Sequence, residues 1–298
     1  MTDSVSLQPT QITESMNDWS TSRPFFARIA QRLNRWLPRG KGAVPRWIGR
    51  CFGKDWKFFI QTDSGCHLAV DPGNLDLFVT IQNEGAWEPW VRQACILAVG
   101  QSDVFLDVGA NAGTISNEVG RARSNARIYS FEPQPDMARL VALSATKNGL
   151  SNITVFEAAV GDHCGTVILH KPAHTLHAST KSVSTGHEER IECPLITIDA
   201  MVASGQLPPP DVVKIDVEGG ELDVLKGAEQ TLQENMPIVI FEANENCERY
   251  GYTRSELIRT LRNAGDYQFF QIAPGDVMAI PTVKAAAYRE NYPQLVEN

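Results

Sequence analysis

The chain has 298 residues, 43% apolar and 21% charged, with a net charge of −8. This is ordinary globular composition, enough for one sizeable domain with an appendage or two small domains. No apolar run is long enough to span a bilayer, and the opening "MTDSVSLQPTQ" lacks the basic start and apolar core of a secretory signal, so a cytoplasmic location is expected.

Residues 1 to about 20 are polar and are expected to be disordered. From Thr21 to Ile60 ten Lys or Arg stand against one acid, Asp55; subtracting this local +9 from −8 leaves −17 on the remainder. A basic arm is joined to an acidic body. Within the arm, Phe26, Ile29, Leu33, Trp36 and Leu37 have helical spacing, and Pro38, Gly40 and Gly42 end the pattern. This helix either packs on the main domain with its arginines in water, or lies at an interface. In the second case residues 23–50 make a peripheral contact with the inner face of a membrane.

"WKFFIQTDSGCHLAV" predicts a β-hairpin turning at Asp63-Ser64-Gly65. "EPWVRQACILAVG" predicts a helix with Trp90, Ala94 and Leu97 on one face and Gly100 as its stop. From Asp103 onward strands and helices alternate. The strands are "DVFLDVG", "ARIYSFEP", "ITVFEAAVG", "DVVKIDVEG" and "PIVIFEAN". The intervening helices run over Thr114–Ala122, Pro135–Asn148 and Glu221 to about Gln233. "GTVILH" and "RIECPLITID" form a hairpin around a polar loop. Thr253–Ala264 is a helix with a capping box of Thr253 and Glu256. "YQFFQIA" and "DVMAIP" close the chain as a second hairpin. The alternation predicts an α/β doubly wound, mainly parallel sheet, with ligands beyond the carboxyl ends of its strands. The six cysteines are scattered without C-x-x-C spacing, so reduced thiols are expected.

The first αβ strand ends in Asp107-Val108-Gly109-Ala110-Asn111-Ala112-Gly113. The glycines let the chain turn sharply and let a ligand approach the backbone. The order is D-x-G-x-x-x-G, not the G-x-G-x-x-G of a dinucleotide site. An acid there repels a pyrophosphate and attracts a cation, which suits S-adenosylmethionine better than NAD. Glu132 lies 23 positions after Gly109, the distance at which an acid accepts hydrogen bonds from ribose hydroxyls. Glu157 and Ala158, at the third strand end, fall where an adenine edge would lie. Asp107, Gly109, Asn111, Gly113, Glu132, Glu157 and Ala158 are therefore the candidate cofactor residues.

"FLDVGANAGTIS", "FEPQP", "AAVGD", "ITIDAMV", "DVVKIDVEGGELDVLKGA" and "IVIFEAN", with "GAWEPW" upstream, resemble the FkbM-type family of S-adenosylmethionine-dependent methyltransferases. The resemblance runs from about Trp56 to Pro281 and divides the chain into an arm, 1–55, and a methyltransferase domain, 56–298. It implies a class I, Rossmann-like fold with an antiparallel last strand, preceded by a helical and β-hairpin extension. It also implies O-methylation of a sugar or natural-product hydroxyl.

In "VVKIDVEGGE", strand alternation puts Lys214, Asp216 and Glu218 on one face. Asp216, with Glu242 and Asn244 of the next strand, falls near the methyl donor in this fold. An alcohol acceptor needs its proton withdrawn, by a base or by a metal-activated site. Asp216 or Glu242 serves as that base with Lys214 balancing charge; or Asp216, Glu242 and Asn244 hold Mg²⁺ through oxygen ligands; or Lys214 and Asp216 form a structural pair and Glu221 supports the next helix. His170, His174, His177 and His187 are spaced by four, three and ten positions, which matches no zinc signature. They fit a solvated substrate loop. Trp87 and Trp90 either offer stacking surfaces for a sugar or belong to the core.

The expected function is an S-adenosylmethionine-dependent O-methyltransferase acting on a saccharide, glycolipid or natural-product hydroxyl. RNA methylation is a second reading, disfavoured by the acidic body; a non-catalytic cofactor-binding scaffold is a third.

Overall fold

The computed structural model describes residues 7–11, 15–20, 25–36, 48, 57–71, 75–172, 188–244 and 246–289. Most of the basic arm beyond Trp36, and His174, His177 and His187, lie outside the described residues.

The N-terminal part holds α1 (Phe25–Trp36), β1 (Phe58–Gln61), β2 (His67–Val70), α2 (Leu75–Glu84) and α3 (Pro89–Ala98). The core follows as β3 (Val104–Val108), α4 (Thr114–Ala122), β4 (Arg127–Phe131), α5 (Pro135–Lys147), β5 (Ile153–Phe156), β6 (Ala159–Val160), β7 (Gly165–Pro172), β8 (Glu188–Ile196) and α6 (Ile198–Ala203). It closes with β9 (Val212–Ile215), α7 (Glu221–Lys226), α8 (Glu229–Asn235), β10 (Ile238–Glu242), α9 (Asn246–Tyr250), α10 (Arg254–Ala264), β11 (Tyr267–Ala273), β12 (Asp276–Pro281) and α11 (Thr282–Ala285).

Seven strands form the main sheet in the order β11-β12-β10-β9-β3-β4-β5. The run from β10 to β5 is parallel, while β12 is antiparallel to both its neighbours. This is the doubly wound α/β sheet of class I methyltransferases, with the antiparallel last strand the motifs implied. Strand β3 lies inside the sheet between β9 and β4, with all five residues buried. Val104, Leu106 and Val108 pack into one hydrophobic cluster with Val213 and Ile215; Phe105 packs into the opposite one with Val212 and Ile240. That alternation is the period of two of a strand buried on both faces.

Several elements depart from the sequence reading. The stretch "ITVFEAAVG" is not one strand: β6 leaves the main sheet and pairs with β8 in a three-stranded sheet, β6-β8-β7. Strand β8 ends at Ile196, and Ile198 and Asp199 instead start α6, capped by Thr197 Oγ1 accepting from Ala200 N at 3.0 Å. The helix expected from Glu221 to Gln233 breaks at Gly227, where a Cβ would meet Gly161 O at 1.9 Å. Helix α2 was hidden by its β-branched, strand-like composition. Helix α3 buries Val91, Ala94, Cys95 and Ala98 and leaves Trp90 and Leu97 exposed, a rotation of the expected face. The capping box of α10 forms as expected, with Glu256 Oε2 accepting from Thr253 N at 2.8 Å.

The hairpin β1–β2 is fastened to α5 and α4. Asn148 Oδ1 accepts from His67 N at 2.8 Å, its Nδ2 donates to His67 O at 2.7 Å, and Ser144 Oγ accepts from Ala69 N at 3.0 Å. At the turn, Thr62 and Ser64 hydroxyls donate to Glu118 at 2.7 and 2.6 Å. Arg92 of α3 pairs with Asp63. Part of the stretch expected to be disordered also packs here: Trp19 is buried with its ring 5.1 Å from that of Phe59.

Candidate active site

The glycine loop is built by backbone approach. Gly109 and Ala110 both donate to Phe131 O at 3.0 Å, which joins the ends of β3 and β4. Gly109 sits at φ 78°, and a Cβ there would lie 1.8 Å from Asp216 O. Only glycine lets β9's end come this close. Asn111 also adopts a left-handed conformation, φ 50°, and its Oδ1 accepts from Ala112 N at 2.8 Å.

Glu132 organises this loop. Its Oε2 accepts from Asn111 N at 2.8 Å and its Oε1 from Gln134 N at 2.9 Å. Burial pushes its carboxyl up, and these amides pull it back only in part. Each carboxylate oxygen still has acceptor capacity for a hydroxyl.

Asp107 is fully buried behind the loop. The acid at the strand end does attract a cation, but the cation is this chain's own. Lys214 Nζ lies 3.2 Å from Asp107 Oδ1, 3.5 Å from Asp216 Oδ2, and donates to Gly109 O at 2.9 Å. Asp107 Oδ2 accepts from Ser116 Oγ at 2.5 Å. Burial alone would push Lys214 down, but Asp107, Asp216 and Glu88 together hold it above its ordinary range.

A cavity of about 320 Å³ opens over these strand ends. Its floor includes Gly109, Ala110, Asn111, Phe131 and Glu132; Ala158 and the β6–β8 strands line one side, and Lys214, Asp216 and Glu242 another. Asp107, Gly113, Glu157 and Asn244 do not line it. Gly113 holds α4 against α5, since a Cβ would meet Val141 Cα at 2.8 Å. Glu157 is exposed. Of the two tryptophans, Trp87 lines the cavity and Trp90 does not. His163, beside Asp162 at 2.6 Å, lies on the cavity wall.

Strand β9 ends at Ile215, so of the expected strand face only Lys214 lies in the strand; Asp216 follows its end and Glu218 is in a bend at φ 60°. The turn is held by Glu221. Its Oε1 accepts from Val217 N at 3.1 Å and Gly219 N at 3.0 Å, and its Oε2 accepts from Tyr252 Oη at 2.6 Å. Asp216, Glu221 and Glu242 each bring a carboxylate oxygen within 4.8 Å of the others. This set does not fit a divalent cation: Glu221 is spent on its turn, and the Lys214 ammonium, 3.5 Å from Asp216, repels a second cation there. Glu242 Oε2 is buried without a hydrogen-bond partner. Burial first, then Asp216, Glu218, Glu221 and Asp276, push its carboxyl up to about 9.

Sequence reasoning assigned no role to Glu88. It lines the cavity from the loop before α3, and its backbone is left-handed at φ 44°, ψ 60°. That costs on the order of 1–3 kcal/mol for a residue other than glycine. The only signal was its place in "GAWEPW". Asp276 joins the same acidic end by pairing with Glu242 across β10–β12.

The sequence profile of the methyltransferase FkbM domain matches residues 107–268, more than half of the chain. Hexuronic acid methyltransferase AglP of Haloferax volcanii is 35% identical over 155 residues, covering 52% of this chain and 61% of AglP. The 2-O-methyltransferase NoeI of Sinorhizobium fredii is 26% identical over 157 residues, covering 47% of this chain and 63% of NoeI. The chain thus spans about three fifths of the length of the curated relatives it matches. Among solved structures, methyltransferase FkbM from Methylobacillus flagellatus superimposes with a TM-score of 0.46 at 16% identity, over 85% of this chain and 58% of that one. The profile match runs from the acid that ends β3 to the start of β11 and contains the glycine loop, Glu132, Asp216 and Glu242: the chain belongs to the FkbM methyltransferase family.

Proposed function

We propose that this chain is an S-adenosylmethionine-dependent O-methyltransferase acting on a hydroxyl of a saccharide or saccharide-bearing molecule. The observation that carries the reading is the cavity in which the Gly109–Asn111 loop and Glu132 stand beside Asp216 and Glu242. Gly109, Ala110, Asn111, Glu132 and Ala158 would hold the cofactor, with Glu132's open lone pairs suited to ribose hydroxyls and Phe131 and Ala158 to an apolar ring. The bound cofactor supplies an electrophilic methyl group on sulfur. The protein's part is to align the acceptor and manage its proton. Asp216, fixed by Lys214, orients the acceptor hydroxyl. Glu242 keeps its proton at neutral pH and donates a hydrogen bond. The name of AglP, a hexuronic acid methyltransferase, supports a sugar-type acceptor, and that of NoeI, a 2-O-methyltransferase, supports transfer to oxygen. The carboxylates that line the described cavity favour an uncharged sugar over a uronate.

Calorimetric titration tests the cofactor and labelled-methyl transfer the acceptor. S-adenosylhomocysteine is expected to bind and NAD to give no heat; transfer is expected to methyl hexopyranosides more than to hexuronates. Absence of heat with S-adenosylhomocysteine overturns the reading.

Membrane contact belongs to the same proposal. Helix α1 packs inward through Ala27 and Ala30, leaving Phe25, Ile29 and Leu33 exposed in steps of four, with Arg28 and Arg32 exposed beside them. An apolar ridge flanked by arginines suits anionic lipid. No described helix is long and apolar enough to cross a membrane. Sedimentation with phosphatidylglycerol vesicles, but not with phosphatidylcholine vesicles, is expected, and replacing Phe25, Ile29 and Leu33 with serine should abolish it. Equal sedimentation of the triple variant removes this contact.

A further inference from the structure

We propose that the carboxylate of Glu88 is the base that takes the acceptor's hydroxyl proton; the assignment rests on the methyl-transfer reading above.

The placement of Glu88 is built. Asp63 N donates to Gly85 O at 3.0 Å, so the turn of the β1–β2 hairpin holds the start of the loop that carries Glu88. Asp63 is itself paired with Arg92 of α3. Glu88 occupies the N-cap position of α3, yet its side chain caps nothing. It lines the cavity instead. Its left-handed backbone, immediately before Pro89, is a conformation that proline disfavours in the preceding residue. Strain of this kind persists where surrounding structure imposes it, often at functional sites.

The neighbours of Glu88 separate its role from those of the other acids. It lies within electrostatic range of Asp216, Lys214 and Asp276. Asp216 is committed to Lys214. Glu242, surrounded by four other carboxyl groups, is protonated and offers a donor where a base needs an acceptor. Burial, then Asp216, push the Glu88 carboxyl up to about 7, against the pull of Lys214. A base near neutrality has both the right form and the driving force to take a proton.

In the step, the acceptor O–H bond breaks and its proton goes to a Glu88 carboxylate oxygen. The hydroxyl oxygen's electron pair forms the new C–O bond with the methyl carbon. The C–S bond breaks with its electron pair left on sulfur, which becomes a neutral thioether. Glu88 then returns the proton to water.

Two measurements on the full chain test this. The first follows carboxyl carbon resonances of glutamate-labelled protein, saturated with S-adenosylhomocysteine, through a pH titration. One resonance should titrate near neutrality and be missing from Glu88→Gln. The second compares wild type and Glu88→Gln in methyl transfer to methyl hexopyranosides. The variant should lose about 100-fold or more in kcat, keep KM and S-adenosylhomocysteine affinity, and lose the acid limb of the kcat–pH profile. A Glu88 resonance titrating in the ordinary glutamate range, or a variant with unchanged kcat, overturns the assignment. If S-adenosylhomocysteine binds but wild type methylates no glycoside, the acceptor reading falls, and the titration alone decides Glu88.

Discussion

Asp107 and Lys214 are direct partners in neighbouring parallel strands, and Lys214 Nζ reaches both Asp107 Oδ1 at 3.2 Å and Gly109 O at 2.9 Å. One buried ammonium thereby ties the glycine loop to the strand end that carries Asp216. Lys214→Met leaves the Asp107 carboxylate buried without its counter-charge. Breaking such a pair costs about 3–5 kcal/mol, so urea unfolding of Lys214→Met should show a large loss of stability. The double variant Asp107→Asn, Lys214→Met should recover much of it, because neither charge is then stranded. If the double variant is no more stable than the single one, the pair is not what holds these strand ends.

Gly109→Ala tests the close approach of β3 and β9. An alanine Cβ would stand 1.8 Å from Asp216 O, backbone that cannot rotate away, and φ 78° is itself strained for alanine. The loop must shift, and Asn111 with it, away from Glu132. The expected result is loss of S-adenosylhomocysteine binding by calorimetry together with a lower melting temperature. Wild-type affinity in Gly109→Ala would place the cofactor elsewhere.

The strand ends were legible in the sequence because their signals are local. "FLDVGANAG" and "FEP" combine an apolar run, a glycine turn and an acid within a few residues, and the chain folds them as read. Only one of Lys214's two partners was legible. The local charge pattern pointed to Asp216, which Lys214 does meet at 3.5 Å, but Asp107 is brought beside it by the β3–β9 register, which no local pattern encodes. Glu88 was missed for a similar reason: it meets Asp216 and Asp276 only because α3 packs on the face of β10 and β11. The buried face of α3 misled because Trp90 and Leu97 are bulkier than the residues whose face fits the sheet, Val91, Ala94, Cys95 and Ala98. Asn244 looked like a ligand from its place in "FEAN", yet it lies past the cavity's edge.

Glu221 supports the turn after β9 and takes no part in the proposed chemistry. Its carboxylate accepts from two backbone amides and from Tyr252 Oη at 2.6 Å. Tyr252→Phe removes one hydrogen bond to a buried carboxylate, a loss of about 1.5–3 kcal/mol. Stability measured by urea unfolding should fall by that order, while methyl transfer, measured well below the new midpoint, should keep its wild-type KM. A change in KM without a change in stability would instead put Tyr252 in contact with the acceptor.

The raised carboxyl groups fix a direction for stability against pH. Burial and neighbouring acids hold Glu242 at about 9 and Asp276 at about 6, both above their ordinary values of 4.5 and 3.8. The folded chain therefore keeps protons that the unfolded chain has released. Stability contributed by the protonated groups is fully present below their unfolded values and is lost as pH rises through the folded ones. For Glu242 the window runs from 4.5 to about 9. The melting temperature should thus fall between pH 6 and pH 9. Glu242→Gln cannot ionise, keeps a donor at the same place and removes the like-charge repulsion with Asp216. It should flatten this slope, raising the melting temperature at pH 9 and leaving it nearly unchanged at pH 5, as read by scanning calorimetry. A Glu242→Gln slope equal to wild type would mean that Glu242 is already ionised at neutral pH, and its role as a hydrogen-bond donor to the acceptor would fall with it.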